Sequence, residues 1–347
     1  FYSSFGISDE LRFKVTGNYE YRDRFMSKYY SFRKGEYIPA DSLKSVFGYD
    51  YTGGERNTLP TPDMSRDRWG ATFSAFYDPA EDVNFRFASG MQTSEVQTIF
   101  FENLATPFAN RYSKTKFLDF SADVKGVSLQ ASYMGGEQDL SVGMLKPVIH
   151  YDMNYLNLNL EYNWQVNDDL SIRPGVNFQQ ASYDDSPYVE EAQENNPNRE
   201  GLLNGKQKLK NYGASMRFDY QLIDNLRLIA ALRADQYDKP EDTYFSYQFG
   251  GSYNLSEKHL FRAVYSQANR GAFIGNVYSD FKNPLGAQPG GTTTIEYPPG
   301  SGNPMEVPVI IDNYYQYYLG NENIDLLTMN MFEFGHRWKI QNNLQTD

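Results

Sequence analysis

The chain has 347 residues, a net charge of −12, no cysteine and three histidines. The acidity argues against a nucleic-acid partner, which needs a basic face. The missing thiols exclude a disulfide framework and a thiolate zinc site. The length allows one large domain or two or three ordinary ones.

Tyrosine (29) and phenylalanine (24) dominate an aromatic content of 16%, which favours strands. No apolar run approaches the ~20 residues of a membrane helix. A membrane β-barrel is not excluded by that, because its strands alternate apolar and polar residues. The chain opens on Phe1-Tyr2-Ser3-Ser4 without an initiator Met or signal peptide, and ends at Thr346-Asp347 after a turn-like Asn342-Asn343. Both ends read as cuts inside a repeating pattern.

In chain order, the first element is Leu11, Phe13, Val15, Gly17, Tyr19, Tyr21 on one face and Arg12, Lys14, Thr16, Asn18, Glu20, Arg22 on the other. This period-2 run is long for a globular strand, usually ~5–6 residues, and suits a tilted membrane strand of ~9–11. The alternation returns with Trp69, Phe73 and Tyr77, with Val83, Phe85 and Phe87 against Asn84 and Arg86, and with Val127, Leu129, Ala131 and Tyr133. It continues with Leu156, Leu158, Leu160, Tyr162 and Trp164 against Asn157, Asn159, Glu161 and Asn163. Leu170, Ile172, Pro174, Val176 and Phe178 oppose Ser171, Arg173, Asn177 and Gln179. Later runs centre on Phe218, Leu228, Phe249 and Phe334. Pro174 lacks a ladder donor, so a local bulge is expected there.

The connections alternate short and long. Short ones are Asp78-Pro79-Ala80-Glu81, Val124-Lys125-Gly126, Asn167-Asp168-Asp169, Ile223-Asp224-Asn225, Leu255-Ser256-Glu257-Lys258 and Gln341-Asn342-Asn343, all rich in turn residues. Long ones fall roughly at 23–66, 96–113, 135–149, 184–209 and 269–325; only Asp238-Lys239-Pro240-Glu241 breaks the rhythm. Tyr77, Trp164, Tyr220, Tyr253 and Trp338 precede short turns on the apolar face, an aromatic ring at one membrane boundary. Tyr19, Tyr21, Tyr133, Tyr183, Tyr237 and Tyr265 form a candidate second girdle near the loop ends.

The fold class is therefore all-β: a transmembrane antiparallel up-and-down barrel in the outer membrane, with short turns periplasmic and long loops extracellular. A soluble sandwich or propeller also alternates, but with shorter strands and without the short/long rhythm. About a dozen strands are expected. An open sheet in lipid leaves unpaired backbone groups at both edges, so the barrel is expected to be partial and residues 1–347 to be part of one domain.

From Leu260, the run Leu260-Phe261-Arg262-Ala263-Val264-Tyr265-Ser266 into Asn269-Arg270-Gly271 resembles a late barrel strand of TonB-dependent outer-membrane receptors. Leu319-Gly320-Asn321-Glu322-Asn323-Ile324-Asp325-Leu326-Leu327, followed by Phe332-Glu333-Phe334-Gly335, resembles the family's passage into the next strand. Leu327-Thr328 stands where the family has a Lys-Pro-Glu region, a departure similar to receptors of Bacteroidetes-like bacteria. The resemblance covers about 80 residues. It implies a 22-stranded barrel closed by an N-terminal plug, importing a scarce ligand with energy relayed by TonB. Neither plug nor TonB box lies in this sequence, so the resemblance implies as partners a plug domain of the same protein and a TonB complex reached through its missing N-terminal part.

The remaining polar residues were weighed for chemistry. His150, His259 and His336 have no second histidine at ligand spacing in sequence. Asp184-Asp185 opens a loop, where a metal or lipopolysaccharide-bridging role competes with an ordinary loop start. No nucleophile elbow or Ser/His/acid set appears, so no enzyme, cofactor or metal is expected. Arg12, Lys14, Arg86, Arg173, Arg217, Arg227, Arg233, Arg262 and Arg337 share the polar faces with Glu20, Glu161, Asp219, Asp235 and Glu333, where contacts to a plug are favoured over mutual pairing.

The 269–325 connection is long enough to imply function. Its aromatics Tyr278, Phe281, Tyr297, Tyr314, Tyr315 and Tyr317, with Tyr318, are the candidate ligand-binding residues. The expected activity is energy-coupled import of a siderophore, cobalamin, oligosaccharide or peptide. The alternatives are a passive porin or fatty-acid channel, or a structural or adhesive barrel capped by a surface lipoprotein.

Overall fold

The computed structural model describes residues 1–23, 25, 28–31, 36–39, 64–99, 108–142, 149–187, 189, 201–296, 304–341 and 344–346. The strands are β1 (Tyr2–Gly6), β2 (Leu11–Asp23), β3 (Lys28–Ser31), β4 (Glu36–Pro39), β5 (Met64–Ala80), β6 (Val83–Ile99), β7 (Phe108–Val124), β8 (Val127–Val142), β9 (Ile149–Tyr162) and β10 (Trp164–Gln165). They continue as β11 (Leu170–Asp184), β12 (Lys206–Ile223), β13 (Leu226–Tyr237), β14 (Thr243–Ser256), β15 (His259–Arg270), β16 (Asp280–Glu296), β17 (Pro304–Leu319), β18 (Leu327–Gln341) and β19 (Leu344–Thr346). One short helix, α1 (Ile274–Tyr278), precedes β16.

Strand follows strand in one antiparallel sheet of 15, ordered β1-β2-β5-β6-β7-β8-β9-β11-β12-β13-β14-β15-β18-β19, with β10 against β11. The hairpins β3-β4 and β16-β17 stand apart from it. The path does not return on itself, as expected of a partial barrel.

The sheet inverts the usual distribution of burial. Among the described residues only Ala122, Tyr183, Leu203, Val277 and Leu326 are buried apolar side chains, while Leu160, Val176, Leu232, Phe249, Phe334 and many others are exposed. A continuous apolar face of this size would not stay soluble, so its solvent is lipid. On β9 the apolar face reads Tyr162, Leu160, Leu158, Leu156 and then turns polar at Asn154, Asp152 and His150. Three two-residue steps at about 3.3 Å per residue give a band of roughly 20 Å, close to the apolar belt of an outer-membrane barrel. The ring at the short-turn end is as expected: Tyr77, Trp164, Tyr220, Tyr253 and Trp338 are all exposed.

The short turns are tight. Lys125-Gly126 joins β7 to β8 with both residues at positive φ (+49° and +87°), the backbone of a type I′ hairpin. Asn167 accepts from the amides of Asp169 (3.0 Å) and Leu170 (2.8 Å), closing an Asx turn.

Several expectations are corrected. Strands run further than the apolar alternation, so the connections expected at 96–113, 135–149 and 184–209 shrink to 100–107, 143–148 and 185–205. Above the membrane both faces meet water, and the ladder continues without its hydrophobic signature. Pro174 makes no bulge: it pairs with Met216 in an unshifted β11-β12 register. On the other side the ladder stops at Gly175↔Glu161 and resumes at Ile172↔Trp164 in the same register, so the donor-free proline splits one strand into β9 and β10. Tyr183 and Tyr237 leave the second girdle, because their parity places them with Asn177 and Asp235 on the polar face. Tyr183 is only 4% exposed. The exceptional link at 238–241 is a short turn at the loop end between β13 and β14.

Candidate functional site

The loop end between β11 and β18 is organised by one carboxylate. Asp185, 0% exposed, follows β11 directly. It accepts hydrogen bonds from Tyr183 Oη (2.9 Å) and from the amides of Leu202 (3.0 Å), Leu203 (3.3 Å) and Gly205 (2.6 Å). Charge-assisted bonds to otherwise orphaned amides fix the 201–205 turn. The Tyr183 ring is held in turn by stacking on Tyr151 at 5.1 Å. Asp185 is thus a structural clasp, not the metal or lipopolysaccharide bridge considered from sequence.

The clasped turn holds the arm beyond it. Leu202 O accepts from Asp280 N (3.1 Å), and Asn204 Nδ2 donates to Asp280 O. On the returning side Gly320 N donates to Ser279 O (2.6 Å) and Asn321 N to Asn276 O (2.9 Å). Val277 of α1 is 2% exposed. Lys239 Nζ reaches Glu322 Oε2 at 2.6 Å, tying the β13-β14 turn to the same base. Within the 269–325 connection β16 and β17 pair as one hairpin, and these bonds hold its base.

Of the candidate aromatics, Phe281 lies at the foot of the hairpin and stacks on Tyr318 at 4.5 Å with planes 7° apart. Tyr317 faces Lys282 in register and is 63% exposed. Tyr315 pairs with Pro284 and Tyr314 with Gly286, across a register shift between those two partners. Tyr278 ends α1 apart from the stack; burial first, then the charges of Asp238 and Glu322, raise its phenol above the ordinary value. Tyr297 lies outside the described residues. The hairpin so brings together Phe281 and Tyr318, while Tyr317, the next residue along the strand, lies on its other face, and Tyr314 and Tyr315 follow on the same strand. Flat apolar faces with a wet hydroxyl edge suit stacking on sugar or other rings. Among the described residues no three His, Cys, Asp or Glu side chains cluster to hold a metal.

One feature escaped the sequence. His259 and His336 meet across β15-β18, with Nδ1 and Nε2 3.0 Å apart, beside Phe261 and Trp338. They are 77 positions apart in sequence, so only the strand pairing could reveal them. The polar-face charges are also mutually paired: Arg12 with Asp78 (2.5 Å), Arg233 with Asp235 (2.6 Å), Arg262 with Glu333 (2.8 Å), and both Arg217 and Arg227 with Asp219.

The family model for TonB dependent receptor-like β-barrels matches residues 12–346. The chain belongs to that family. Solved receptors and a transporter share its fold at low identity. The ferric enterobactin receptor PfeA of Pseudomonas aeruginosa superposes with a TM-score of 0.63 at 13% identity, covering 99% of this chain and 48% of that one. The siderophore receptor PirA of Pseudomonas aeruginosa gives 0.59 at 12%, over 98% of this chain and 48% of the other. The copper transporter OprC gives 0.55 at 13%, over 96% and 47%. The chain spans about half the length of these receptors. No curated protein sequence matches it.

Proposed function

We propose that this TonB-dependent receptor barrel belongs to an outer-membrane importer, not an enzyme, that captures a scarce ring-bearing ligand on its outer hairpin. The class fits a siderophore, cobalamin or oligosaccharide. The family match across residues 12–346, joined to an exposed apolar face, carries the reading. The hairpin supports the capture step, because an arm locked at its base presents its aromatics without first ordering a loop. Phe281, Tyr314, Tyr315 and Tyr317, with Tyr278 and Tyr297, are the assigned contacts. In the whole protein the polar face encloses a plug, TonB supplies the energy, and the short turns lie in the periplasm.

The test uses the full-length receptor with a panel of ferric siderophores, cobalamin and oligosaccharides. Replacing residues 282–317 by a short glycine turn should lower binding of the recognised ligand at least tenfold while the barrel stays folded. Removing TonB should stop import and leave binding intact. Import that continues without TonB would establish a passive channel instead.

A further inference from the structure

The apolar face gives way to a patterned polar zone at its loop end. Directly paired residues form rows across the sheet. One row runs Lys116 (β7), Gly135 (β8), Asn154 (β9), Ser182 (β11), Lys208 (β12). The row nearer the membrane runs Leu118, Tyr133, Leu156, Gln180, Lys210, and the next one down Phe120, Ala131, Leu158, Phe178, Tyr212. All lie on the face that carries Val176, Met216 and Tyr220, which are exposed.

The centre of this zone is a flat polar floor. Asn154 lies across Gly135, where a Cβ would fall 2.1 Å from Asn154 Oδ1, and Tyr133 Oη donates to that same oxygen at 2.6 Å. Tyr133 thus occupies the carbonyl side of Asn154 and leaves its amide donor. Lysines flank the floor: Lys114 and Lys116 on β7, and Lys206, Lys208 and Lys210 on β12. The two sides stand about 19 Å apart, four strand spacings of about 4.8 Å. Among the described residues Lys206 pairs with Asp184 at 3.5 Å, while no ion pair involves Lys208 or Lys210. One row further out, Glu137, Asp152 and Asp184 bound the site, since an anion there would meet three carboxylates.

We infer that this tray binds the headgroup of a phosphorylated glycolipid of the surrounding outer leaflet, phosphates on the flanking lysines and acyl chains on the belt below. The occupant follows from position and charge. The floor is continuous with the lipid-facing belt, so what touches it is anchored in the same leaflet. Ammonium groups just above the belt match phosphates at headgroup depth. A neutral polar floor between two lysine flanks fits a sugar core carrying phosphates at its ends. The inference rests on the proposed orientation, with the loop end outside the cell.

The experiment titrates the detergent-purified full-length receptor with diphosphorylated lipid A by native mass spectrometry. Dephosphorylated lipid A and inorganic pyrophosphate are the comparison probes. At about fivefold per membrane-surface lysine, Lys208→Gln with Lys210→Gln should weaken lipid A binding about 30-fold. Lys208→Arg with Lys210→Arg should retain it, and Lys258→Gln at a short turn should leave it unchanged. The dephosphorylated lipid, which loses its contacts to both flanks, should bind wild type at least as weakly as lipid A binds the Gln variant, an arm that needs no variant to fold. Equal affinity of wild type and Gln variant, or of the two lipids, overturns the site. Displacement of lipid A by pyrophosphate at equal concentration also overturns it, in favour of a free-anion site. Orientation is read separately: Glu241→Cys, the only thiol in the chain, should label in intact cells with an impermeant maleimide. Labelling only after lysis refutes the orientation and leaves the binding result to stand by itself.

Discussion

Substituting Asp185 by alanine removes four hydrogen bonds at once and leaves one amide and one phenol buried, and two amides part-buried, without an acceptor. Each such group costs about 1–3 kcal/mol when unpaired. The sum exceeds what a surface turn can hold, so the 201–205 segment opens instead of staying strained. Taking about 3 kcal/mol as the loss, the open population rises on the order of 100-fold. Opening also releases the Leu202 and Asn204 contacts to Asp280, and with them one side of the hairpin base. Hydrogen exchange followed by mass spectrometry reads this directly. The 201–205 and 280–282 amides should exchange faster by about that factor, while β13 and β14 keep their protection. Asp185→Asn should fall between, because one amide oxygen still accepts. Unchanged protection at Leu202, Leu203 and Gly205 in the alanine variant would refute the clasp.

Three further outcomes follow from the geometry. Gly126→Ala places a Cβ 2.9 Å from Asn163 O at φ +87° and should lower stability by about 1–3 kcal/mol, seen as a lower heat-modification temperature in SDS gels. Val176→Arg, at an apolar-face position 55% exposed, should destabilise by about 2–4 kcal/mol in lipid, whereas Gln248→Arg, exposed on the polar face of β14, should be tolerated; equal effects would mean the faces are misassigned. A hydrogen bond to Glu322, then its charge, raises the Lys239 ammonium above the ordinary 10.5. A raised lysine stabilises fully below its unfolded value and loses that contribution as pH rises through the folded one. The melting difference between wild type and Lys239→Gln should therefore be constant up to about pH 10 and shrink above it; a difference that grows with pH contradicts the pairing.

The strands were legible because each central strand divides two solvents, and lipid on one face writes a period-2 pattern that water on both does not. The same physics explains what was missed. Asp280–Glu296 and Pro304–Leu319 pair with each other apart from the main sheet, so no alternation announced them and they read as loop. Asp185 was visible only as half of an acidic pair, since its partners are amides of a turn some 17 to 20 residues on, and amides carry no sequence signature. The parities of Tyr183 and Tyr237 were readable against Phe178 and Leu232, and there nearness to a loop was given weight that parity should have had. The aromatics of the 269–325 connection could be picked out by their density, but which of them meet, as Phe281 and Tyr318 do, depended on a register that sequence does not show.

The seam between β15 and β18 has a consequence for change over time. Arg270 and Leu327 are direct partners, so residues 271–326 leave and re-enter the sheet at adjacent points. Partners in such a ladder stand about 4.5–5.5 Å apart, a gap that an arm of any length can bridge. The arm is thereby joined to the sheet at one seam, and its other anchors are the 201–205 turn and Lys239 at its base. Beyond those anchors it can be lengthened, shortened or exchanged while the seam, and the strands on either side, keep their register.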